Sequence, residues 1–373
     1  MKKYLALVLA LCMILTLCAC GKKTEEAPAE EAAPAVSVAM ITDYGDITDQ
    51  SFNQTTYEAC KEYCEGASLK FQYYKPASDS DEDRISSIEK AIDEGFNVIV
   101  MPGYAFGPAI VKTAPEHADV TFVALDVSEG DIGDLASKIP SNLYCAVYQE
   151  ELCGYMAGYA AVKLGYTKLG YLGGMAVPAV VRYGYGFVQG ADAAATELGK
   201  TDVEINYVYG NQFFGDSDIT AYMDTWYAGG TEVVFACGGG IFTSAGEAAQ
   251  KAGGKVIGVD VDQAPTIDGL YGEGITVTSA MKGLAATVKT TLTAISEGKF
   301  QGGKVDTLGL VSDTPADNFV QIAGSTQFAD GFTADDYAAL VKDMHGGKIT
   351  VSNAIDTEPA VTSVTVDYQG NIK

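Results

Sequence analysis

Histidine and positive charge are both scarce in this chain of 373 residues. Its two histidines, His117 and His345, lie far apart in the sequence. Isolated histidines do not supply the base of a Ser-His-Asp or Cys-His arrangement. They also form no cluster at the ligand spacing of a zinc site. The sequence therefore gives no support to an enzyme of these classes, to a metal site or to a bound cofactor.

Lysine and arginine together number 24 against 49 aspartates and glutamates, which gives a formal net charge of −25. A field of this sign repels nucleic acid and anionic lipid, and it weakly opposes highly phosphorylated ligands. We therefore expect no nucleic-acid partner. Neutral or cationic small molecules are favoured instead.

Cysteine is present but gives no evidence of a disulfide framework. Eight cysteines occur, of which three lie among the first twenty residues. The remaining five are an odd number, which does not indicate systematic pairing. Cys60 and Cys64 lie four apart in a helical pattern and are interpreted as small buried apolar residues.

The only long apolar run lies at the start of the chain. Tyr4–Leu17 follows a basic Lys2-Lys3 pair and is too short to span a bilayer comfortably, as in a secretory signal peptide over residues 1–19. It ends in Leu-Cys-Ala-Cys, which resembles the lipobox of bacterial lipoproteins. We expect Cys20 to carry the lipid. The alternative is an ordinary signal peptide with an incidental cysteine.

The segment that follows, residues 20–35, is rich in Glu, Ala and Pro and has no apolar periodicity. Such a composition buries too little surface to fold, so it is predicted to be a flexible tether. Removing the signal peptide makes the net charge more negative by two. The rest of the chain is longer than one core comfortably serves, which indicates two lobes.

From residue 36 onward, β-branched or apolar runs alternate with amphipathic stretches. This rhythm is typical of parallel sheets covered by helices on both faces. It predicts an α/β protein with two doubly wound, Rossmann-like lobes and a hinge. We assign residues 36–147 plus 276–309 to an N-terminal lobe, and residues 148–275 plus 310–373 to a C-terminal lobe.

Four segments decide those lobe boundaries. Thr276–Ser279 is predicted as a strand, and Ala280–Gly298 as a helix, that together return to the first lobe. In the tail, β-like Ile349–Ser352 and Val361–Tyr368 are expected to pack on the second lobe.

In open α/β sheets ligands bind beyond the carboxyl ends of the strands. The loops that follow the strands of both lobes are therefore predicted to line one cleft.

Four stretches carry a family resemblance. They are Asp49–Gln54 (DQSFNQ), Glu150–Gly158 (EELCGYMAG), Gly173–Gly190 (GGMAVPAVVRYGYGFVQG) and Val256–Gln263 (VIGVDVDQ). In this order and behind a lipobox, they resemble the basic membrane protein family of ABC-transporter substrate-binding lipoproteins, the PnrA-like proteins. Characterised members of that family bind purine or other nucleosides. The likeness extends from about residue 37 to at least residue 298.

The resemblance implies a type I periplasmic-binding-protein fold and assigns roles to individual residues. Phe52 would stack on a base, and Asn53 would offer a donor and an acceptor to the base edge. Asp126 and Asp260 would accept hydrogen bonds from ribose hydroxyls. Lys282 occupies the position of a ligand-side lysine and would neutralise a buried aspartate.

The second lobe supplies further candidates. Gly239, within a run of three glycines, would let the backbone approach the ligand closely. That run lacks the Gly-Lys-Ser/Thr ending of a phosphate loop. Phe214 is the preferred opposing aromatic wall, with Phe242 as the alternative. Inward packing of Phe52, a helix-capping Asp126 and a surface-exposed Lys282 stay open as purely structural alternatives.

The predicted function is capture of a nucleoside, with purine favoured, in the cleft between the lobes. The predicted partners are the permease and ATPase subunits of an ABC importer. The protein would be a monomer, held by its lipid on the extracytoplasmic face of the cell membrane. A sugar or autoinducer-like ligand is the first alternative, followed by a nucleoside-processing enzyme. A receptor that serves a sensor is also open.

Overall fold

A computed structural model describes residues 35–43 and 45–372. The predicted signal peptide, Cys20 and the greater part of the tether lie outside these residues. The strands are β1 (Ser37–Ile41), β2 (Lys70–Tyr74), β3 (Val98–Pro102), β4 (Thr121–Leu125), β5 (Leu143–Tyr148), β6 (Lys168–Gly173), β7 (Val203–Tyr209), β8 (Val233–Cys237), β9 (Lys255–Asp260), β10 (Thr276–Lys282), β11 (Lys304–Leu308), β12 (Val320–Ile322) and β13 (Val364–Asn371).

The α-helices are α1 (Phe52–Ala67), α2 (Asp81–Asp93), α3 (Gly107–Glu116), α4 (Glu150–Lys163), α5 (Pro178–Leu198), α6 (Ser217–Ala228), α7 (Phe242–Ala252), α8 (Ala264–Tyr271), α9 (Leu284–Ser296) and α10 (Ala334–His345). Local signals account for several of their ends. The Ser80 side chain accepts a hydrogen bond from the Asp83 amide and caps α2, and Thr333 and Asp336 form a capping box at α10.

The strands form two sheets, one for each lobe. The first has the order β11-β5-β4-β3-β1-β2, and the second has the order β12-β10-β9-β8-β6-β7-β13. Every neighbouring pair is parallel except β10 with β12. All residues of β1 and β3 are buried, as expected when helices cover both faces of a parallel sheet. This arrangement confirms the predicted fold class.

The chain crosses between the lobes three times. The crossings lie between β5 and α4, between β10 and α9, and between β11 and β12. The first passes Gln149, whose backbone amide donates to the carbonyl of Leu308 at the third, so two crossings are hydrogen bonded side by side. The carboxyl ends of the parallel strands of both sheets face the space beside these crossings.

The second crossing corrects one prediction. Thr276–Ser279 does not return to the first lobe, since it belongs to β10, which pairs with β9 in the second sheet. The strand also continues to Lys282, because Ala280–Lys282 pairs with the short strand β12, which the sequence did not reveal. The boundary therefore lies at Gly283 instead of residue 276, and the helix begins at Leu284 instead of Ala280.

The tail also differs from the prediction in one place. Ile349–Ser352 is not a strand but part of an irregular segment. Its backbone is satisfied by a side chain, since the Gln189 amide accepts from Ser352 N and donates to Ser352 O. The β-like segment that follows does form a strand, β13, which pairs with β7.

Helices α4 and α5 touch through their backbones. A Cβ atom added to any of four glycines would lie about 2 Å from a carbonyl oxygen of the facing helix: Gly154 from Tyr183, Gly158 from Phe187, Gly186 from Glu151 and Gly190 from Tyr155. Glycines spaced by four residues on each helix permit this approach. Two of the family-like stretches therefore serve helix packing, which in turn brings the start of α4 beside Arg182 and Tyr183 of α5.

The helix contact predicts the effect of adding one methyl group. Gly158→Ala should lower the free energy of unfolding by at least about 1–3 kcal/mol, because the facing Phe187 carbonyl is backbone and cannot rotate away. Gly66→Ala in α1 is the matched control, since nothing lies within 4 Å of a Cβ there. Urea unfolding should show the control unchanged or stabilised by up to about 1 kcal/mol. Equal midpoints for both variants would contradict the account.

Candidate ligand-binding site

A cavity of about 740 Å³ lies between the carboxyl ends of the two sheets. Its volume falls within the range of about 300–1,000 Å³ that is usual for small-molecule sites. Loops that follow strands of both lobes line it, as the general rule for open α/β sheets requires. The cavity is lined by all seven residues predicted for the ligand: Phe52, Asn53, Asp126, Phe214, Gly239, Asp260 and Lys282.

Lys282 lies at the base of this cavity and is buried. Its Nζ atom is 2.5 Å from Asp126 Oδ2, 3.5 Å from Glu150 Oε1 and 3.7 Å from Asp260 Oδ1. Burial alone would lower the pKa of this ammonium, but the three carboxylates outweigh burial and raise it. Lys282 is therefore a fixed positive charge that joins both lobes, and the surface-lysine alternative is excluded.

Asp126 and Asp260 share an unusual backbone conformation. Their φ angles are +59° and +64°, in the left-handed region that non-glycine residues rarely adopt. Asp126 directly follows β4 in the first lobe, and Asp260 ends β9 in the second. Such conformations cost roughly 1–3 kcal/mol and persist where the surroundings enforce them. Here each places a carboxylate beside the Lys282 ammonium, one from each lobe.

The two aspartates differ in how their oxygens are used. Asp260 is only 5 % exposed, its Oδ2 accepts from the Ser51 hydroxyl at 2.6 Å and its Oδ1 from the Tyr183 hydroxyl at 3.3 Å. Burial raises the pKa of Asp260, and Lys282 and Ser51 oppose the rise. Asp126 keeps its buried Oδ1 without a hydrogen-bond partner among the described residues. Asp126 is thus the carboxylate with an acceptor to offer.

A second ion pair supports Lys282 and was not recognised in the sequence. Glu150 is fully buried, and its Oε2 accepts from Arg182 Nε at 2.6 Å while its Oε1 faces Lys282. Burial raises the pKa of Glu150, and the two cations oppose that rise. The sequence contains one indication of this ion pair, because Arg182 is the one charged residue in the stretch Gly173–Gly190.

Asn53 has a side chain whose two ends have different surroundings. Its Nδ2 lies 3.1 Å from both Asp43 Oδ1 and Asp49 Oδ2 and donates to these carboxylates. Its Oδ1 is buried without a partner among the described residues. Burial raises the pKa of Asp43 to about 6, and hydrogen bonds from Gly45 and Asn53 limit the rise. The sequence suggested both a donor and an acceptor here, whereas the fold leaves only the acceptor for a ligand.

Aromatic rings border the cavity on both sides. The Lys282 ammonium lies 4.7 Å from the centroid of the half-buried Phe52 ring, a cation–π contact. In the second lobe Phe214 is 61 % exposed, and Phe242 is almost fully buried. Phe213 is half-buried between these extremes and also lines the cavity. No pattern in the sequence distinguishes Phe213 from its neighbour Phe214.

The glycine run after β8 has a packing role that the sequence did not indicate. A Cβ atom at Gly238 would lie 2.7 Å from the Phe213 ring, and one at Gly239 would lie 2.7 Å from the Phe213 carbonyl oxygen. Both glycines also have positive φ angles, of 142° and 52°. Gly174 is equally close to the ring. These glycines make room for Phe213, although Gly239 also lines the cavity.

The two histidines lie apart from this arrangement. His117 contacts Glu89 and His345 contacts Asp313, and neither histidine lines the cavity. The five cysteines within residues 35–43 and 45–372 are free and buried, which confirms the interpretation of Cys60 and Cys64 as small buried residues. Across that part of the chain no cluster of metal-binding side chains occurs, and no helix is long and apolar enough to cross a membrane.

Comparison with known sequences gives consistent matches. The model of a family described as PnrA-like ABC transporter substrate-binding proteins matches residues 36–314. The ABC transporter nucleoside-binding protein BmpA of Lactococcus lactis subsp. cremoris is 26 % identical over 364 residues, or 92 % of this chain and 96 % of that protein. Basic membrane protein A1 of Borrelia garinii subsp. bavariensis is 26 % identical over 314 residues, or 83 % of this chain and 86 % of that protein.

Solved structures share the fold. An ABC-transporter solute-binding protein from Conexibacter woesei superimposes with a TM-score of 0.67 at 23 % identity, covering 86 % of this chain and 99 % of that one. A solute-binding protein of an ABC transporter system from Aeropyrum pernix gives a TM-score of 0.67 at 19 % identity, covering 84 % and 87 %. These similarities confirm the type I periplasmic-binding-protein fold.

The charge cluster predicts a severe and pH-dependent effect of removing Lys282. Lys282→Met leaves buried carboxylates without their cation, which should cost about 3–5 kcal/mol of unfolding free energy near neutral pH. Burial raises the pKa of Asp260 and Glu150, and Lys282 opposes that rise. Without Lys282 the folded-state pKa rises further above its unfolded value, so the stability of the variant should fall as pH rises above the unfolded pKa of about 4.

Lys289→Met is the matched control, because Lys289 pairs with Glu62 on the surface. It should change little at any pH. The measurement is urea unfolding of both variants and the parent protein at several pH values. A Lys282→Met protein as stable as the control at pH 8 would show that the ammonium does not hold this cluster together.

Proposed function

The chain belongs to the PnrA-like family of ABC-transporter substrate-binding proteins, and we propose that it captures a nucleoside, preferably a purine nucleoside, in the cavity between its lobes. This assignment makes it a binding protein and not an enzyme. The matched family covers three quarters of the chain, from residue 36 to residue 314. The identity of the ligand and the means of membrane attachment are the parts that we propose.

The observation that carries the ligand proposal is the set of unpartnered acceptors. Asn53 Oδ1 and Asp126 Oδ1 are buried and lack partners among the described residues, and both side chains line the cavity. An unsatisfied buried acceptor costs about 1–3 kcal/mol, so the ligand must bring donors. A nucleoside does so at two separate places, with hydroxyls on its sugar and N–H groups on its base.

The charge of the cavity favours a neutral ligand. Seven aspartates line it against two basic residues, Arg182 and Lys282. Both cations already pair with carboxylates, which offsets their charge toward a phosphate group. A nucleotide would therefore meet an uncompensated negative field. This supports the nucleoside over its phosphorylated forms.

The aromatic side chains suit the base. We assign Phe52 as one wall and Phe213 as the other, in place of the exposed Phe214, because a stacking surface needs a ring that its neighbours hold in place. Gly174 and Gly238 pack against Phe213 in this way. Stacking supplies about 1–3 kcal/mol per base and tolerates different bases. The relative from Lactococcus lactis carries nucleoside binding in its name, which agrees with this assignment.

We expect calorimetry to detect binding of adenosine, guanosine or inosine. The corresponding monophosphates should bind at least about tenfold more weakly, because phosphate is repelled by the cavity. Free bases should also bind more weakly, since they lack the hydroxyls that Asp126 accepts. Ribose alone binding as tightly as the nucleosides would indicate a sugar-binding protein instead. Binding of none of these compounds, or preference for monophosphates, would overturn the proposal.

Variants of the site locate the contacts within the same experiment. Asp126→Asn should weaken nucleoside binding by about 10- to 100-fold, the loss of one charge-assisted hydrogen bond. The exposed Asp119→Asn is its control and should bind normally. Phe213→Ala should weaken binding by at least about fivefold, and Phe214→Ala should do so less. The reverse order would restore Phe214 as the wall.

We also propose that the mature protein is anchored through a lipid on Cys20 at the extracytoplasmic face of the membrane, and that it delivers its ligand to an ABC permease and ATPase as a monomer. The Leu-Cys-Ala-Cys stretch and the acidic tether support the anchor. Cys20→Ala should release the protein into the medium or leave it unprocessed, as seen by fractionation and mass spectrometry. Unchanged processing and membrane association would refute the lipid anchor.

A further inference from the structure

The two lobes also touch directly, at a place outside the charge cluster. Gln50 of the first lobe contacts Gln263 and Thr266 of the second. We infer that these three residues form a closure latch, in which Gln263 is a positioning residue that docks the ligand-binding start of α1 onto the second lobe. The latch sets how readily the cleft closes, whichever small molecule it holds.

Gln263 is held within the second lobe by its own hydrogen bonds, and one donor, Nε2, remains for the first lobe. Its side chain is 1 % exposed, and its Oε1 accepts from the backbone amide of Val259 at 2.9 Å. That bond fixes the orientation of the amide, because a backbone N–H requires an acceptor. The backbone amide of Gln263 is also held, by Ser279 Oγ at 3.1 Å. The remaining donor, Nε2, points across the cleft to the Gln50 carbonyl at 3.0 Å.

Gln50 is equally fixed within the first lobe. Its φ angle is +56°, in the left-handed region, and it is held there because its backbone amide and its side-chain amide both donate to Gln54 Oε1, at 3.1 Å and 2.8 Å. This conformation costs free energy and needs a reason. It presents two acceptors to the second lobe, since the carbonyl meets Gln263 and Oε1 meets the Thr266 hydroxyl at 3.3 Å.

Two of the three latch residues lie outside the ligand site, whereas Gln50 lines it. Gln263 and Thr266 do not line the cavity. Gln50, however, immediately precedes the Ser51-Phe52-Asn53 segment, so closing the latch brings the stacking ring and the base-reading amide toward Asp260. Ser51 completes that approach with its hydrogen bond to Asp260. The bonds of Gln263 and Thr266 involve protein groups only, so they stabilise the closed state independently of any ligand.

The latch is expected to change the affinity for all ligands by the same factor. When only the closed state binds tightly, the apparent dissociation constant equals the intrinsic one divided by the closed fraction. Weakening the latch therefore weakens binding of every ligand by a common factor. The ratios between ligands stay the same, which a residue that contacts the ligand would not achieve.

The test measures closure without ligand, so that it is independent of the proposed nucleoside. Dyes on Glu129→Cys and Ala221→Cys, one exposed position in each lobe, report the interlobe distance by single-molecule energy transfer. The native cysteines in the described part of the chain are buried and will not compete for label. In the ligand-free protein, Gln263→Glu should lower the closed-to-open ratio by about fivefold or more, because a donor is replaced by an acceptor opposite a carbonyl.

Two further variants keep the test decisive. Gln250→Glu is the matched control, since Gln250 Nε2 donates to the Tyr271 carbonyl within the second lobe, and it should leave the ratio unchanged. Thr266→Val removes the other cross-lobe bond without touching the buried glutamine. It should lower the ratio by about two- to fivefold, and it decides the matter if Gln263→Glu fails to fold.

Identical distance distributions for the parent protein and the folded latch variants would overturn the inference. A second measurement follows the dissociation rates of adenosine and guanosine, used as probes, in rapid-mixing experiments. For each probe that binds, the latch variants should raise the dissociation rate by one common factor. Factors that differ between the two probes would show that Gln263 acts on the ligand and not on closure.

Discussion

The buried ammonium of Lys282 is the interaction on which the rest of the site depends. It sits where the chain leaves β10 for the first lobe, and it contacts Asp126 from one lobe, Asp260 from the other and Glu150 at the first crossing. Burying charge is costly unless every charge is paired. The cluster is therefore strongly coupled, and it ties the hinge to both walls of the cavity.

The pairing also decides which atoms are left for a ligand. Lys282 and Ser51 occupy the Asp260 carboxylate, whereas Asp126 gives one oxygen to Lys282 and keeps the other. The Asn53 side chain is divided similarly. Its Nδ2 donates to the carboxylates of Asp43 and Asp49, and its Oδ1 is left as an acceptor. The surrounding contacts therefore leave only acceptor atoms, Asn53 Oδ1 and Asp126 Oδ1, for a ligand. A site made of acceptors and carboxylates, between aromatic rings, suits the neutral, donor-rich ligand that we propose.

The fold class and the residues around the cavity could be predicted from the sequence, because parallel sheets place the loops after their strands at one edge. Other features depend on contacts between distant segments. The extension of β10 to Lys282 requires β12, a run of three residues that is too short to be predicted as a strand from its own pattern. Glu150 and Arg182 meet because glycines let α4 and α5 come into contact. Phe213 is distinguished from Phe214 by the glycines that pack against its ring, which are distant in the sequence.

A crystal structure with the purine nucleoside that binds best in solution would show directly which atoms the ligand uses. A ribose hydroxyl should lie within hydrogen-bond distance of Asp126 Oδ1, and a base N–H should donate to Asn53 Oδ1. The base should lie between Phe52 and Phe213, and Lys282 should remain paired with its carboxylates. A ligand that displaces Lys282 from Asp126, or whose hydroxyls point away from these acceptors, would contradict the account.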